Sequence, residues 1–280
     1  MVKADEIEVL APCGRPCDIM PVIDAGADAI YVGLSGYSAR PKSSDFTAEE
    51  ICESLPKIKA QNKKLYVAVN ANVENEYISD LCEKAKTLDK AGVDAFIVSD
   101  YGLIDLMCKT VKNASVHSST ISGTYNYEDV KLLKSMGVKR VILSTDLFVD
   151  EISDIIDNAG DMEYEMVANG GICFNSNRQC LLPHVGSNEG YTVFCQKEYD
   201  LIKDGQVLGR AKRIGSVACH MHRDMGLYVG MGISSFKIEG RTNNIDYVLK
   251  RVKSVAESKR FVVEHADEIA GMMHYVRRQG

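Results

Sequence analysis

The chain has 280 residues, 45% of them hydrophobic and 26% charged, enough to bury a full core and leave little room for long disorder. No apolar run approaches the roughly 20 residues of a membrane span, and the opening Met-Val-Lys-Ala-Asp-Glu lacks the apolar stretch of a secretory signal, so a cytoplasmic protein is expected. A formal charge of −6 removes the simplest electrostatic case for nucleic-acid binding, because phosphate-tracking surfaces carry a basic excess.

In chain order, strands are expected at Ile7 to Ala11, Leu65 to Asn70, Ser115 to Ser119 and Met162 to Ala168. Four more follow a repeated pattern in which a helical run closes on Gly and an apolar strand begins. These are Gly26-Ala-Asp-Ala-Ile-Tyr-Val-Gly, Gly92-Val-Asp-Ala-Phe-Ile-Val-Ser, Gly137-Val-Lys-Arg-Val-Ile-Leu-Ser and Gly232-Ile-Ser-Ser-Phe-Lys-Ile-Glu. Gly after the last helical turn takes the left-handed conformation that ends a helix, and the β-branched runs suit strands buried on both faces. Helices are expected at Thr47 to Gln61, Tyr77 to Ala91, Tyr127 to Met136 and Val149 to Asn158, with Thr47 and Glu50 forming a capping box.

Eight strands alternating with helices over about 240 residues match a (β/α)8 TIM-like barrel, here one domain over residues 1–280. A doubly wound open sheet is the alternative, but Ala11-Pro-Cys-Gly-Arg-Pro is no dinucleotide fingerprint. Residues 169–231, between strands seven and eight, form an insertion too long for an ordinary loop and hold four of the nine cysteines. Within it, Tyr199 to Val207 reads as a hairpin turning at Asp204-Gly205. Residues 244–280 are read as C-terminal helices.

Barrel chemistry sits at the C-terminal ends of strands, which makes the polar residues there the candidates. They include Cys13, Tyr37, Arg40, Asn70, Asn72, Asp100, His117 to Thr120, Asp146, Asn169, Glu239 and Arg241. Alternation along strand eight puts Lys237, Glu239 and Arg241 on one face. There Arg241 could clamp a carboxylate while Glu239 moves protons or orients it, or the trio could be a buried ion-pair network. Cys13 is placed where a catalytic thiol could sit, with His117 and His220 as candidate bases.

An odd number of cysteines without a signal peptide argues against a disulfide framework. Cys173, Cys180, Cys195 and Cys219 all fall in the insertion, and four thiolates satisfy either a tetrahedral zinc or a cubane iron–sulfur cluster. Spacing alone does not choose between these and scattered buried thiols. His220 and His222, beside Cys219, could replace a thiolate ligand. Cys52, Cys82 and Cys108 lie among apolar helical neighbours and are assigned to the core.

Gly171-Ile-Cys-Phe-Asn-Ser-Asn-Arg-Gln-Cys-Leu-Leu and Ser234-Ser-Phe-Lys-Ile-Glu-Gly-Arg resemble the collagenase-like family, peptidase family U thirty-two. Leu10-Ala-Pro, Ala25-Gly-Ala-Asp-Ala-Ile-Tyr-Val-Gly-Leu and Ser38-Ala-Arg through Asp45-Phe-Thr are similar to the same family, so the resemblance covers nearly the whole chain. It implies an iron–sulfur enzyme that hydroxylates without oxygen, on a ubiquinone precursor or on RNA pyrimidines, with a carboxylate such as prephenate as the oxygen donor. A four-iron, four-sulfur cluster held by the residues matching Cys173, Cys180, Cys195 and Cys219 is implied with it. Lys237, Glu239, Arg241 and His117 are then the catalytic candidates, and Asn70, Asn72, Arg40 and Asn169 the substrate-binding ones.

The sequence departs from the family pattern at Asn169, where a His is common, at Cys13, at Thr145-Asp146 and in the stretch Gly186 to Cys195. An acidic chain ending soon after the barrel favours a small aromatic substrate over RNA, in a homo- or hetero-oligomer and in a reducing or anaerobic setting. Zinc is the alternative metal, and a peptidase or a non-catalytic cluster-bearing subunit the alternative function.

Overall fold

The computed structural model describes residues 2–39, 45–173, 198–212 and 216–271. In chain order these form β1 (Glu8–Pro12), α1 (Ile19–Asp24), β2 (Ala29–Leu34), β3 (Asp45–Phe46), α2 (Ala48–Ala60), β4 (Lys64–Val69), α3 (Ile78–Ala91) and β5 (Ala95–Val98). Then come α4 (Tyr101–Thr110), β6 (Ser115–Ser118), α5 (Tyr127–Ser135), β7 (Arg140–Ile142), α6 (Val149–Ala159) and β8 (Glu163–Cys173). The chain continues through β9 (Glu198–Lys203), β10 (Gln206–Lys212), β11 (Ser216–Cys219), α7 (Met225–Met231), β12 (Ile233–Ile238) and α8 (Ile245–Glu264).

Eight parallel strands run in the order β1, β12, β8, β7, β6, β5, β4, β2, and β2 pairs back onto β1, so the sheet closes. The expected barrel is therefore the observed architecture. The junction glycines Gly26, Gly92, Gly137 and Gly232 all have positive φ, between 101° and 126°, as helix-ending residues should. Each helix turns its apolar stripe to the barrel: α3 buries Leu81, Ala85 and Leu88, spaced by one turn, and α6 buries Ile152, Ile155 and Ala159. At the start of α2, the Thr47 hydroxyl accepts from Glu50 N at 3.2 Å while the Glu50 carboxylate accepts from Thr47 N at 2.9 Å. The main core lies between strands and helices, and a smaller cluster of Leu10, Tyr31, Tyr66, Ala68, Ile97 and Ile142 fills the barrel interior.

Two differences from the expected elements, and one agreement, bear on the site. Barrel strand seven, expected to stop at Ala168, continues as β8 to Cys173 because β11 pairs with its end in antiparallel register. The strand-breaking pair Gly170-Gly171 is held in the ladder by that partner. The hairpin is present as β9 and β10, with Asp204 at φ 50° and Gly205 at φ 76°, the positive values of a two-residue turn. The insertion also carries the short helix α7. Of its four cysteines, Cys180 and Cys195 lie outside the described residues, as does Arg40. No cysteine cluster between barrel strands seven and eight is therefore seen among the described residues. At the C-terminus α8 packs over α1 and β1, and residues 266–271 are again helical.

Candidate functional site

The barrel interior is ionic rather than uniformly apolar. Glu8 on β1, Arg140 on β7, Glu165 on β8 and Lys237 on β12 all point inward and are buried. Arg140 Nη1 lies 2.6 Å from Glu8 Oε1 and 3.3 Å from Glu165 Oε2, and its Nη2 lies 2.9 Å from Glu163. Lys237 Nζ pairs with Glu165 at 3.4 Å and sits 4.3 Å from the centre of the Tyr31 ring. Tyr66 donates to Glu8 at 2.7 Å, Ser235 donates to both Glu8 and Glu165, and Lys64 reaches Glu8 from the end of β4.

Two buried carboxylates, Glu8 and Glu165, thus face two buried cations, Arg140 and Lys237, and the charges balance inside a low-dielectric barrel, while Glu163 and Lys64 join from the exposed edge. Burial pushes the Glu8 carboxyl up, but Arg140, the Tyr66 hydroxyl and Lys64 outweigh it and hold it at about 2. Burial, opposed by Glu165, pulls the Lys237 ammonium below its ordinary range.

His117 belongs to this interior. Its ring is buried edge-on to Tyr66, its Nε2 is 3.1 Å from the Ser115 hydroxyl, and burial followed by Arg140 keeps it neutral well below the usual histidine range. Cys13 lies instead in the core between barrel and helices. Its thiol is 1% exposed, donates to the Arg15 carbonyl at 3.2 Å, and is pushed by burial up to about 12. Cys13 thus packs in the core behind the barrel wall, whereas His117 packs against Tyr66 inside it.

At the C-terminal rim most polar candidates anchor loops. Asn70 Oδ1 accepts from Ala39 N at 3.0 Å, and the Asn70 carbonyl accepts from Ser99. Asp100 caps α4 through Leu103 N, Thr120 donates to the Leu143 carbonyl, and Asp146 accepts from Ser144 and Tyr125. Asn72 is exposed.

Lys237, Glu239 and Arg241 engage three different partners. Lys237 faces Glu165 inside the barrel, while Glu239 accepts from Gly171 N at 3.1 Å. Arg241 is buried against Ser38 and pairs with Asp45 at 3.3 Å. Gly33 leaves the room for that pair, because a Cβ there would run into both the guanidinium and the carboxylate.

Of the four cysteines in the insertion, Cys219 is the one whose side chain is described. It is buried, its thiol donates to the Val167 carbonyl at 3.5 Å, and burial pushes its pKa up. It lines a cavity of about 20 Å³ with Leu143, Met166 and Met221. The β8–β11 ladder pairs Cys219 with Gly170 and Ser216 with Cys173, so both cysteines lie on adjacent strands, three pair positions apart, beyond the rim.

His222, a candidate replacement ligand from sequence, is buried. Its Nδ1 lies 3.3 Å from the Ala168 carbonyl and 3.4 Å from Asn169 Nδ2, and its Nε2 is 3.1 Å from Ser254 on α8. It ties the ladder's base to the C-terminal helix. Among the described residues, no three His, Cys, Asp or Glu side chains lie close enough to hold a metal.

A closed parallel barrel with an ionic interior, and a strand-seven extension standing on its C-terminal rim, defines a (β/α)8 protein of the kind that carries its chemistry at that rim. The chain belongs to Peptidase family U32, whose profile matches residues 15–275. It is 26% identical to the tRNA hydroxylation protein P of Escherichia coli, over 95% of this chain and 72% of that one. It is 27% identical to the 23S rRNA 5-hydroxycytidine C2501 synthase of the same organism, over 96% of this chain and 42% of that one. The solved structure of the U32 peptidase Mk0906 shares the fold, with a TM-score of 0.56 at 13% identity, over 84% of this chain and 93% of that one. Kinship with these proteins supports catalytic activity in general. No helix among the described residues is long and apolar enough to cross a membrane.

Proposed function

We propose that the chain is the barrel of an iron–sulfur-dependent hydroxylase that modifies a pyrimidine-like or aromatic ring without oxygen. The observation that carries this reading is the β8–β11 ladder, a cysteine-bearing extension of a barrel strand at the rim where barrel enzymes do their chemistry. The names of the relatives support hydroxylation and make an RNA pyrimidine the first substrate to assay. The net charge of −6 favours a small aromatic ring as the second reading.

Cys173, Cys180, Cys195 and Cys219 would hold the cluster. The donor chemistry fits, since four thiols in one insertion suit a four-iron cubane, with zinc the alternative. Cys219 would exchange its hydrogen bond to Val167 for a metal bond, and the cation's charge would offset the upward push of burial on its thiol. A bound cubane supplies one-electron transfer at the rim.

The chain's own residues would do the rest. Arg241 is the anion-binding candidate, where a carboxylate donor would compete with Asp45 for the guanidinium. Asn70, Asn72 and Asn169, at the ends of their strands, would contact the substrate, with Arg40 a further candidate outside the described residues. Lys237, paired with Glu165, and His117, which burial disfavours in its charged form, would set the electrostatics of the barrel interior on which the rim stands.

The test is anaerobic purification with iron, sulfide and zinc analysis of wild type and Cys180→Ala, followed by mass spectrometry of RNA and of small aromatic substrates for the gain of one oxygen. Iron and sulfide lost in the variant, with an oxygenated product in wild type, is the expected result. A protein holding only zinc, or no metal after anaerobic reconstitution, would sink the reading.

A further inference from the structure

Beyond its last parallel pair, Ile238 with Asn169, β8 loses β12 as a neighbour but continues for four more residues. Those four residues, Gly170 to Cys173, pair with Cys219 back to Ser216. A two-stranded ribbon of this length is marginal by itself, so something must hold its base.

Glu239 does so twice. Its backbone N–H donates to the Asn169 carbonyl at 2.8 Å, which extends the parallel pairing by one residue. Its carboxylate Oε2 then accepts from the Gly171 N–H at 3.1 Å, taking the place of the backbone partner that β12 no longer offers. The side chain reaches Gly171 by lying directly over Gly170. A Cβ on Gly170 would fall 2.8 to 2.9 Å from Cβ, Cγ and Oε2 of Glu239, closer than such atoms approach. The glycine and the glutamate are therefore one device, and it acts on the position that pairs with Cys219 and lies three residues before Cys173.

We propose that Glu239 is a positioning residue for the cysteine-bearing ladder: seated on Gly170, its carboxylate fixes the Gly171 amide and so sets the backbone that carries Cys173 and Cys219. The consequence for iron rests on the proposal that these cysteines hold a cluster. The clamp itself does not.

The experiment uses the full chain as Glu239→Gln, Glu239→Ala, Gly170→Ala and the double variant Gly170→Ala/Glu239→Ala. In the metal-free proteins, amide hydrogen exchange is followed by mass spectrometry across 169–173 and 216–219. Glu239→Ala should speed exchange there by roughly five- to tenfold, while Glu239→Gln, whose amide oxygen still accepts, should stay near wild type. Gly170→Ala should match Glu239→Ala, and the double variant should be no worse than either single one, because all three lose the same contact.

The same proteins are then reconstituted anaerobically with ferrous iron and sulfide. Iron per chain and visible absorption should fall several-fold in Glu239→Ala and persist in Glu239→Gln. Unchanged exchange in Glu239→Ala overturns the clamp. Faster exchange with undiminished iron overturns its role in setting the ligands, and a Glu239→Gln variant as defective as Glu239→Ala assigns Glu239 a charge-dependent role instead. If wild type takes up no iron while exchange responds as expected, the clamp stands and the cluster reading falls. Should Gly170→Ala fail to fold, the two Glu239 variants decide alone.

Discussion

Arg140 and Glu8, 132 positions apart in sequence, meet at 2.6 Å inside the barrel, each with about 5% of its side chain exposed. Removing the cation alone would leave Glu8 and Glu165 without their shared partner in a medium that solvates them poorly, with Lys64 and Lys237 compensating only in part. Arg140→Met is therefore expected to lose about 3–5 kcal/mol of stability at pH 7 in urea unfolding. The sign with pH follows from Glu8. Its carboxyl is held at about 2 against an ordinary 4.5, so its contribution is complete above 4.5 and is lost as pH falls toward about 2. The variant lacks the interaction that holds Glu8 down, so the stability gap should narrow as pH falls below 4.5. A gap that stays constant down to pH 3 would show that the pair does not act through charge.

His117 gives the complementary acid limb. Burial, then Arg140, depress its pKa well below 6.5, with Lys237 and Lys64 pushing the same way and Glu8 opposing. The unfolded chain therefore binds a proton that the folded chain refuses. Stability from this group is complete above 6.5 and declines as pH falls below it. His117→Gln, which keeps a polar contact for Ser115 but cannot titrate, should flatten the loss of stability between pH 6.5 and 5. Equal slopes for the two proteins in thermal melts across that window would mean that His117 is not the group being titrated.

The barrel could be read from the sequence because its signals are local and repeated. Gly26, Gly92, Gly137 and Gly232 each end a helix at positive φ and each open a buried strand, so one pattern marks four of the eight strands. The ionic interior left a fainter trace. Glu163 with Glu165, and Lys237 two residues after Ser235, are polar residues at period two inside apolar strands, which is how an inward-facing ionic layer looks. The partners come from β1 and β7, and no local rule links them. The Glu239 contact was hidden for another reason: alternation gave the facing of Lys237, Glu239 and Arg241, but their separate partners Glu165, Gly171 and Asp45 depend on where β8 and β3 lie in space.

The Arg241–Asp45 pair rests on a glycine in the same way as the Glu239 contact. A side chain at Gly33 must displace both partners, and Asp45, whose carboxyl burial already pushes upward, would then lose the opposing pull of Arg241. Gly33→Ala should cost about 1–3 kcal/mol in wild type, the range of a tightly overpacked site. In an Arg241→Ala background the same change should cost at least about 1 kcal/mol less, since the obstructing guanidinium is gone. Chemical unfolding of the four proteins of this cycle measures the coupling, and additive costs would mean that Gly33 is required by something other than the pair.

Cys13 tests the hydrolytic alternative through its chemistry. A nucleophilic thiol must be accessible and partly ionised, yet this one is 1% exposed and raised to about 12 by burial. At pH 7 its thiolate fraction is about one in 10⁵, set by the distance from pH to pKa. Cys17, four residues on, is exposed and serves as the internal control. Iodoacetamide treatment of the native protein, read by peptide mass spectrometry, should alkylate Cys17 while Cys13 stays unmodified until denaturant is added. Cys13→Ala should correspondingly leave any catalytic activity within a factor of about two, with a small stability loss from the vacated volume. Rapid native labelling of Cys13, or activity abolished in Cys13→Ala with the fold intact, would return this thiol to the chemistry and the peptidase reading with it.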